Sequence, residues 1–267
     1  MTATVAEART AGEARPLSAA REIWIVFVRQ MRLSVRNPIW VIIGLTQPIL
    51  YLVLFGPLLK PLAGALGTGN AYQLFVPGML VQLGIFGALF VGFALIAEYR
   101  AGVIEIQRVT PARRSSLLLG RVMRDVVVLV VQGTVLTVVA IPFGLRAPLW
   151  GAVLGVVVVA LLGAALSATS YAVALTLKSE DALAPLLNGL AVPVLLLSGI
   201  LLPMSLAPGW LETLSNVNPF KHVVDGVRAA FRGDLGATDS WVGLLITVAL
   251  VFLGVWYGTR TFRRESA

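Results

Sequence analysis

Six stretches of roughly twenty residues, each free of Asp, Glu, Lys and Arg, constrain this chain more than any other feature. They run from about Ile39 to Leu59, Leu74 to Ala97, Val126 to Leu145, Leu149 to Leu177, Ala182 to Leu202 and Val242 to Thr259. A helix of that length crosses about 30 Å of hydrocarbon, where every backbone amide and carbonyl must be satisfied within the segment. The pattern therefore predicts an all-α integral membrane protein with six transmembrane helices. Composition agrees, with 58% hydrophobic residues, 13% charged residues and a mean hydropathy of +0.88, far from an ordinary soluble domain. The fourth stretch is long enough to tilt or to project beyond the bilayer. Pro48 and Pro193 fall inside spans and predict bends in the first and fifth, because proline deletes a backbone donor and clashes with the preceding turn.

The net charge of +8 is distributed between and beside the apolar stretches, which fits membrane topology better than nucleic-acid binding. An even number of spans leaves both termini on one side. That side carries sixteen of the Lys and Arg residues and the other carries five (Lys60, Arg146, Lys221, Arg228 and Arg232). By the positive-inside rule both termini are expected to be cytoplasmic, and the expected location is the plasma membrane. Residues 1–17 lack the apolar core of a secretory signal and are expected to be a disordered cytoplasmic tail. Residues 18–260 form one transmembrane domain, and 261–267 a second cytoplasmic tail. With no cysteine and a single histidine, His222, no metal site is expected. His222 is expected to be solvated or to cap a helix.

Ahead of the first span, Ile23, Phe27, Met31 and Val35 recur every four residues with Trp24 and Val28 beside them, while Arg29, Arg32 and Arg36 occupy another face. This is the pattern of an amphipathic helix on a membrane surface, and Asn37 and Pro38 punctuate the turn into the bilayer. Trp210, Trp241, Trp256 and Tyr257 suit an aromatic belt. Between the fifth and sixth spans, residues 203–240 hold two short helical patterns, around Trp210 to Leu214 and Phe220 to Phe231. In the second, Val223, Val224, Val227 and Phe231 form a stripe, with Lys221, Asp225, Arg228 and Arg232 facing elsewhere. It is too short and too charged to span, and is expected to cap the bundle or to re-enter the outer leaflet.

The apolar stretches contain no charged side chain of the kind an ion-coupled transporter keeps at membrane depth. None of Lys60, Lys178 and Lys221 follows a glycine as a P-loop lysine must, so energy is expected to arrive on another subunit. Its place is suggested by EYRAGVIEIQRVTPARRSSLLLGR, residues 98–121, a polar and mainly basic interruption after the second span. Thr110 and Pro111 mark a new helix start, which gives a bent helical hairpin. On spacing alone this is either a docking surface or a charged loop that contacts only water. Gln47, Gln132 and Asn188 are polar groups at membrane depth, available for bonds between helices or for contact with cargo. Gly84, Ala88 and Gly92, and likewise Gly151 and Gly155, have the four-residue spacing of close helix packing.

Taken together, the amphipathic helix, the six spans, the Glu-Tyr-Arg-x-Gly-x-x-Glu run with its later Thr-Pro-x-Arg, and LSGILLPMSLAPGWLETLSNVNPFKHVVDGVRAAF after the fifth span resemble ABC-2 type exporter permeases. Within them the daunorubicin-resistance group of drug-efflux membrane subunits is the most similar. The resemblance implies that Glu98, Arg100, Gly102, Glu105, Thr110, Pro111 and Arg113 form a coupling helix docking on an ABC ATP-binding subunit. It also implies that Asn218, Pro219, Asp225 and Arg228 belong to an outer cap. The expected function is that of a permease subunit without its own ATP site, exporting a hydrophobic or amphiphilic compound. A second permease copy or paralogue and two ATPase subunits using ATP and Mg complete the expected assembly. Gln47, Gln132 and Asn188 are its candidate substrate path. The alternatives are a polysaccharide or glycolipid exporter of the same family, a stand-alone secondary transporter, and a non-catalytic membrane scaffold.

Overall fold

The computed structural model describes residues 18–65, 70–104, 113–234 and 236–265. Its helices are α1 (Ala19–Arg36), α2 (Ile39–Ala65), α3 (Ala71–Leu89), α4 (Val91–Arg100), α5 (Arg114–Phe143), α6 (Leu149–Leu177), α7 (Glu180–Leu197), α8 (Gly209–Asn216), α9 (Pro219–Arg232) and α10 (Thr238–Glu265), with a short 3₁₀ turn at Met204–Leu206. No strand occurs among the described residues. Six segments are long and apolar enough to cross a membrane: α2, the continuous run of α3 and α4, α5, α6, α7 and α10.

The helices reach beyond the apolar stretches that announced them. α5 begins at Arg114, well before Val126, and α10 continues through Arg263 and Arg264. The second stretch is divided at Phe90, which separates α3 from α4. The fifth ends early: α7 stops at Leu197, and Gly199 takes the left-handed conformation (φ +69°) that turns the chain away. α2 and α7 each run as one helix through Pro48 and Pro193.

α3 and α6 form the centre. The α3–α4 span has 61% of its most apolar window buried, against 17% for α2 and for α7. The two poorly buried spans turn Ile42, Ile43 and Leu54, and Leu186, Leu190 and Leu196, outward. Such faces are stable only against lipid or another subunit. One apolar cluster joins α2, α3, α5, α6 and α9, with Leu80, Leu136, Leu162 and Phe231 fully buried. A second, at the other end, joins α4, α5, α6, α7 and Phe262 of α10.

Small residues set the closest approaches. On α10, Gly254 and Gly258 lie against the backbone of Ala165 and Ala168 on α6, and a Cβ on Gly258 would sit 2.8 Å from the Ala168 carbonyl oxygen. The glycines singled out by spacing behave as expected: Gly84 meets Val159 and Leu162 of α6, Gly92 meets Ser170, and Gly151 and Gly155 meet Ala230 and Phe231 of α9. Without a hydrophobic drive between helices in lipid, association depends on this kind of fit.

Candidate functional site

At the end of the bundle carrying α1, three successive residues each grip a different helix. The Arg121 guanidinium on α5 donates to the Glu98 carboxylate at 2.5 Å. The Lys178 ammonium at the α6–α7 turn sits 5.8 Å from the centre of the Tyr99 ring. Arg100 pairs with Glu180, in the first turn of α7, at 3.2 Å. Arg121 is buried, whereas Arg100 and Glu180 are about half exposed, so the first pair holds position while the last is softened by solvent. α4 then stops at Ala101, and Gly102 turns the chain with φ +73°. A Cβ there would meet nothing within 4 Å among the described residues, so the requirement for glycine is conformational.

Arg113 is the N-cap of α5 but caps it with no side chain of its own. The cap comes from another helix: the Arg113 backbone amide donates to the Glu22 carboxylate of α1 at 3.0 Å. A carboxylate at a helix N-terminus satisfies an orphan donor and complements the dipole. That backbone hydrogen bond holds the Glu22 carboxyl below its ordinary range. Gly120 of α5 lets α1 settle close, against Ile23 and Val26. Of the expected coupling residues, Glu98, Arg100, Gly102 and Arg113 are therefore gathered at this end, while Glu105, Thr110 and Pro111 lie outside the described residues.

Behind this surface is a polar cluster that the charge-free stretches do not reveal. Asp125 and Tyr171 are 2% and 1% exposed. The Tyr171 hydroxyl donates to Asp125 Oδ2 at 2.7 Å, joining α6 to α5, and Arg124 lies 2.8 Å from Asp125 Oδ1. The apolar stretch from Val126 is free of charge as read, but the helix that carries it brings Arg121 and Asp125 into the packed interior. A buried carboxylate is tolerable there only because a cation and a hydroxyl accompany it. The visible signal was Arg124-Asp125 abutting an apolar run, with Tyr171 alone in the fourth.

At the opposite end, α9 is lodged against α3, α6 and α10. Asn218 caps it, accepting from the Phe220 amide at 3.0 Å and donating to the Val194 carbonyl of α7 at 2.9 Å, with Pro219 in the first turn. Arg228 departs from the amphipathic reading. Instead of facing away from the Val223, Val224, Val227 and Phe231 stripe it is 2% exposed. Its Nε donates to the Leu74 carbonyl at 3.0 Å and its Nη2 to Gly199 and Ile200 at 2.6 and 3.2 Å. The turn after α7 leaves the Gly199 and Ile200 carbonyls outside a helical ladder, and a guanidinium fork is long enough to collect them while also reaching the Leu74 carbonyl in the first turns of α3. Asp225 stands 3.6 Å away and is more exposed.

The three polar residues at membrane depth do not converge. Gln132 is buried and donates to the Val41 carbonyl at 2.8 Å, tying α5 to α2. Gln47 and Asn188 are exposed and bond within their own helices, to Tyr51 and to the Ala184 carbonyl. No metal-binding group of His, Asp and Glu occurs among the described residues.

These features define a multi-pass helical membrane protein with an interfacial helix docked on one end and a short helix wedged into the other. Residues 21–231 match the family model described as ABC-2 type transporter, and the chain belongs to that family. It is the membrane permease of an ABC transport system, a system that includes an ATP-binding partner. It is 25% identical over 234 residues to the daunorubicin resistance ABC transporter permease protein DrrB1 of Streptomyces coeruleorubidus, covering 86% of this chain and 82% of that one. It is 26% identical over 212 residues to the putative transport permease ycf38 of Cyanophora paradoxa, covering 78% and 73%. With ABC transporter G family member 20 of Dictyostelium discoideum it shares 27% identity over 197 residues, 69% of this chain and 26% of that protein.

Proposed function

We propose that this permease exports a hydrophobic or amphiphilic compound across the plasma membrane, with both termini cytoplasmic, driven by separate ATP-binding subunits that use ATP and Mg. The ATP-binding subunit docks on the segment from Glu98 to Arg113. The observation that carries the reading is the triple grip of Glu98, Tyr99 and Arg100 on α5, the α6–α7 turn and α7. A push on a segment anchored in this way moves three span helices together. Two copies, or one copy and a paralogue, complete the pathway. Gln47 and Asn188 support this, since they are exposed on the two least buried spans, where lipid supplies no hydrogen-bond partner and a second copy or a cargo does. The drug-resistance role named for the Streptomyces relative supports a drug-like or lipid-like cargo.

The test is coupling. Glu105→Ala and Arg113→Glu, assayed in vesicles with the ATP-binding subunit, are expected to insert normally and to separate ATP hydrolysis from transport. Normal export by both variants refutes the docking assignment. Transport that survives ATP depletion with the ion gradient intact refutes the ATP-driven reading.

A further inference from the structure

Helix α1 has three faces, and its docking on α5 uses only one. Glu22, Val26 and Gln30 turn toward the protein, with Glu22 and Gln30 buried. Trp24, Val28 and Val35 form a second, apolar face, on which Trp24 is 57% exposed with its ring 5.2 Å from Phe27. The third face holds Ile25, Arg29, Arg32 and Arg36. Between the apolar and arginine faces lies a shallow groove of about 550 Å³, lined by Trp24, Ile25, Val28, Arg29, Arg32, Leu33 and Arg36. None of the ion pairs among the described residues involves the three arginines, and the one acid on the helix, Glu22, is committed to Arg113 on the other side.

We propose that this groove is a site for anionic phospholipid, with the arginines on the headgroup phosphate and Trp24, Ile25 and Leu33 against the upper acyl chain. Charge complementarity selects the occupant, because three unpaired guanidiniums spaced over about 10 Å of helix match phosphodiesters. The interleaved apolar residues match a lipid rather than an acidic protein surface or a free ion. Continuity with the bilayer sets the depth. After the Asn37-Pro38 turn the exposed residues of α2 are Ile39, Trp40, Ile42 and Ile43, so hydrocarbon begins immediately beyond Arg36 and places the arginines at headgroup level. The interaction is independent of the docking proposed around Glu98.

The full-length permease in phosphatidylcholine nanodiscs is doped with a minor fraction of acyl-brominated phosphatidylglycerol or, separately, acyl-brominated phosphatidylcholine. The readout is the quenching of Trp24, taken as wild type minus Trp24→Phe. Several-fold greater quenching by the anionic lipid is expected, abolished in the triple variant Arg29→Gln, Arg32→Gln, Arg36→Gln and retained in the corresponding triple Lys variant, which guards against loss of fold. Equal quenching by the two lipids overturns the proposal. Erasure of the preference by inorganic phosphate also overturns it, since the groove is then a soluble-anion site. So does crosslinking of the arginine face to the ATP-binding subunit without any lipid preference.

Discussion

Truncating Arg228 tests whether α9 is held in the bundle by one side chain. In Arg228→Ala the carbonyls of Leu74, Gly199 and Ile200 lose their donor and Asp225 loses its cation. Charge-assisted hydrogen bonds contribute about 1.5–3 kcal/mol each, but the three share one guanidinium and do not add. Asp225 is one-third exposed, so its share is discounted for solvent. The buried Gly199 and Ile200 carbonyls left without a donor cost about 1–3 kcal/mol each, and about 4 kcal/mol is the value expected here. At about 2–4 °C per kcal/mol for a chain of this size, the detergent-solubilised permease should melt on the order of 10 °C lower. Limited trypsinolysis at Lys221 and Arg232, on either side of the contact, should accelerate as α9 loosens. Arg228→Lys keeps the charge but has no planar fork, and is expected to lose about half as much. A melting point within about 2 °C of wild type for Arg228→Ala, with unchanged trypsin sensitivity, would falsify the latch.

Three further outcomes follow from the packing. Tyr171→Phe strands the buried Asp125 carboxylate without its hydroxyl donor and should cost about 1.5–3 kcal/mol in thermal unfolding; an unchanged melting point means that the Tyr171–Asp125 bond carries no net stability. Glu22→Gln removes the charge capping α5 and should speed amide hydrogen exchange over residues 113–117. Because the folded carboxyl titrates below its ordinary 4.5, the same protection in wild type is present at neutral pH and fades as pH falls through that depressed value; exchange insensitive to both changes removes Glu22 as the cap. Gly254→Val drives a side chain into the Ala165 backbone and should separate α10 from α6 at about 1–3 kcal/mol or more; cysteine crosslinking between the two helices that proceeds at the wild-type rate refutes the close approach.

The class of fold was legible in the linear chain, since six charge-free stretches of membrane-spanning length leave helices as the way to satisfy backbone groups in lipid. The linear chain also located the Glu98–Arg113 segment and the two short helices after the fifth span, because charge and prolines interrupt hydropathy at those points. What it left open was where charged residues go once helices pack. Arg228 reads as the polar face of a short amphipathic helix until α9 is wedged among α3, α6 and α10, where the stray carbonyls of Gly199 and Ile200 accept its protons. Asp125 reads as the last charge before an apolar run until Tyr171, 46 residues away in sequence, closes over it. Glu22 reads as one charge on a surface helix until it meets the start of α5. Hydropathy is a local property that survives in the linear chain. The partner that makes a buried charge affordable belongs to another helix, and tertiary packing alone brings the two together.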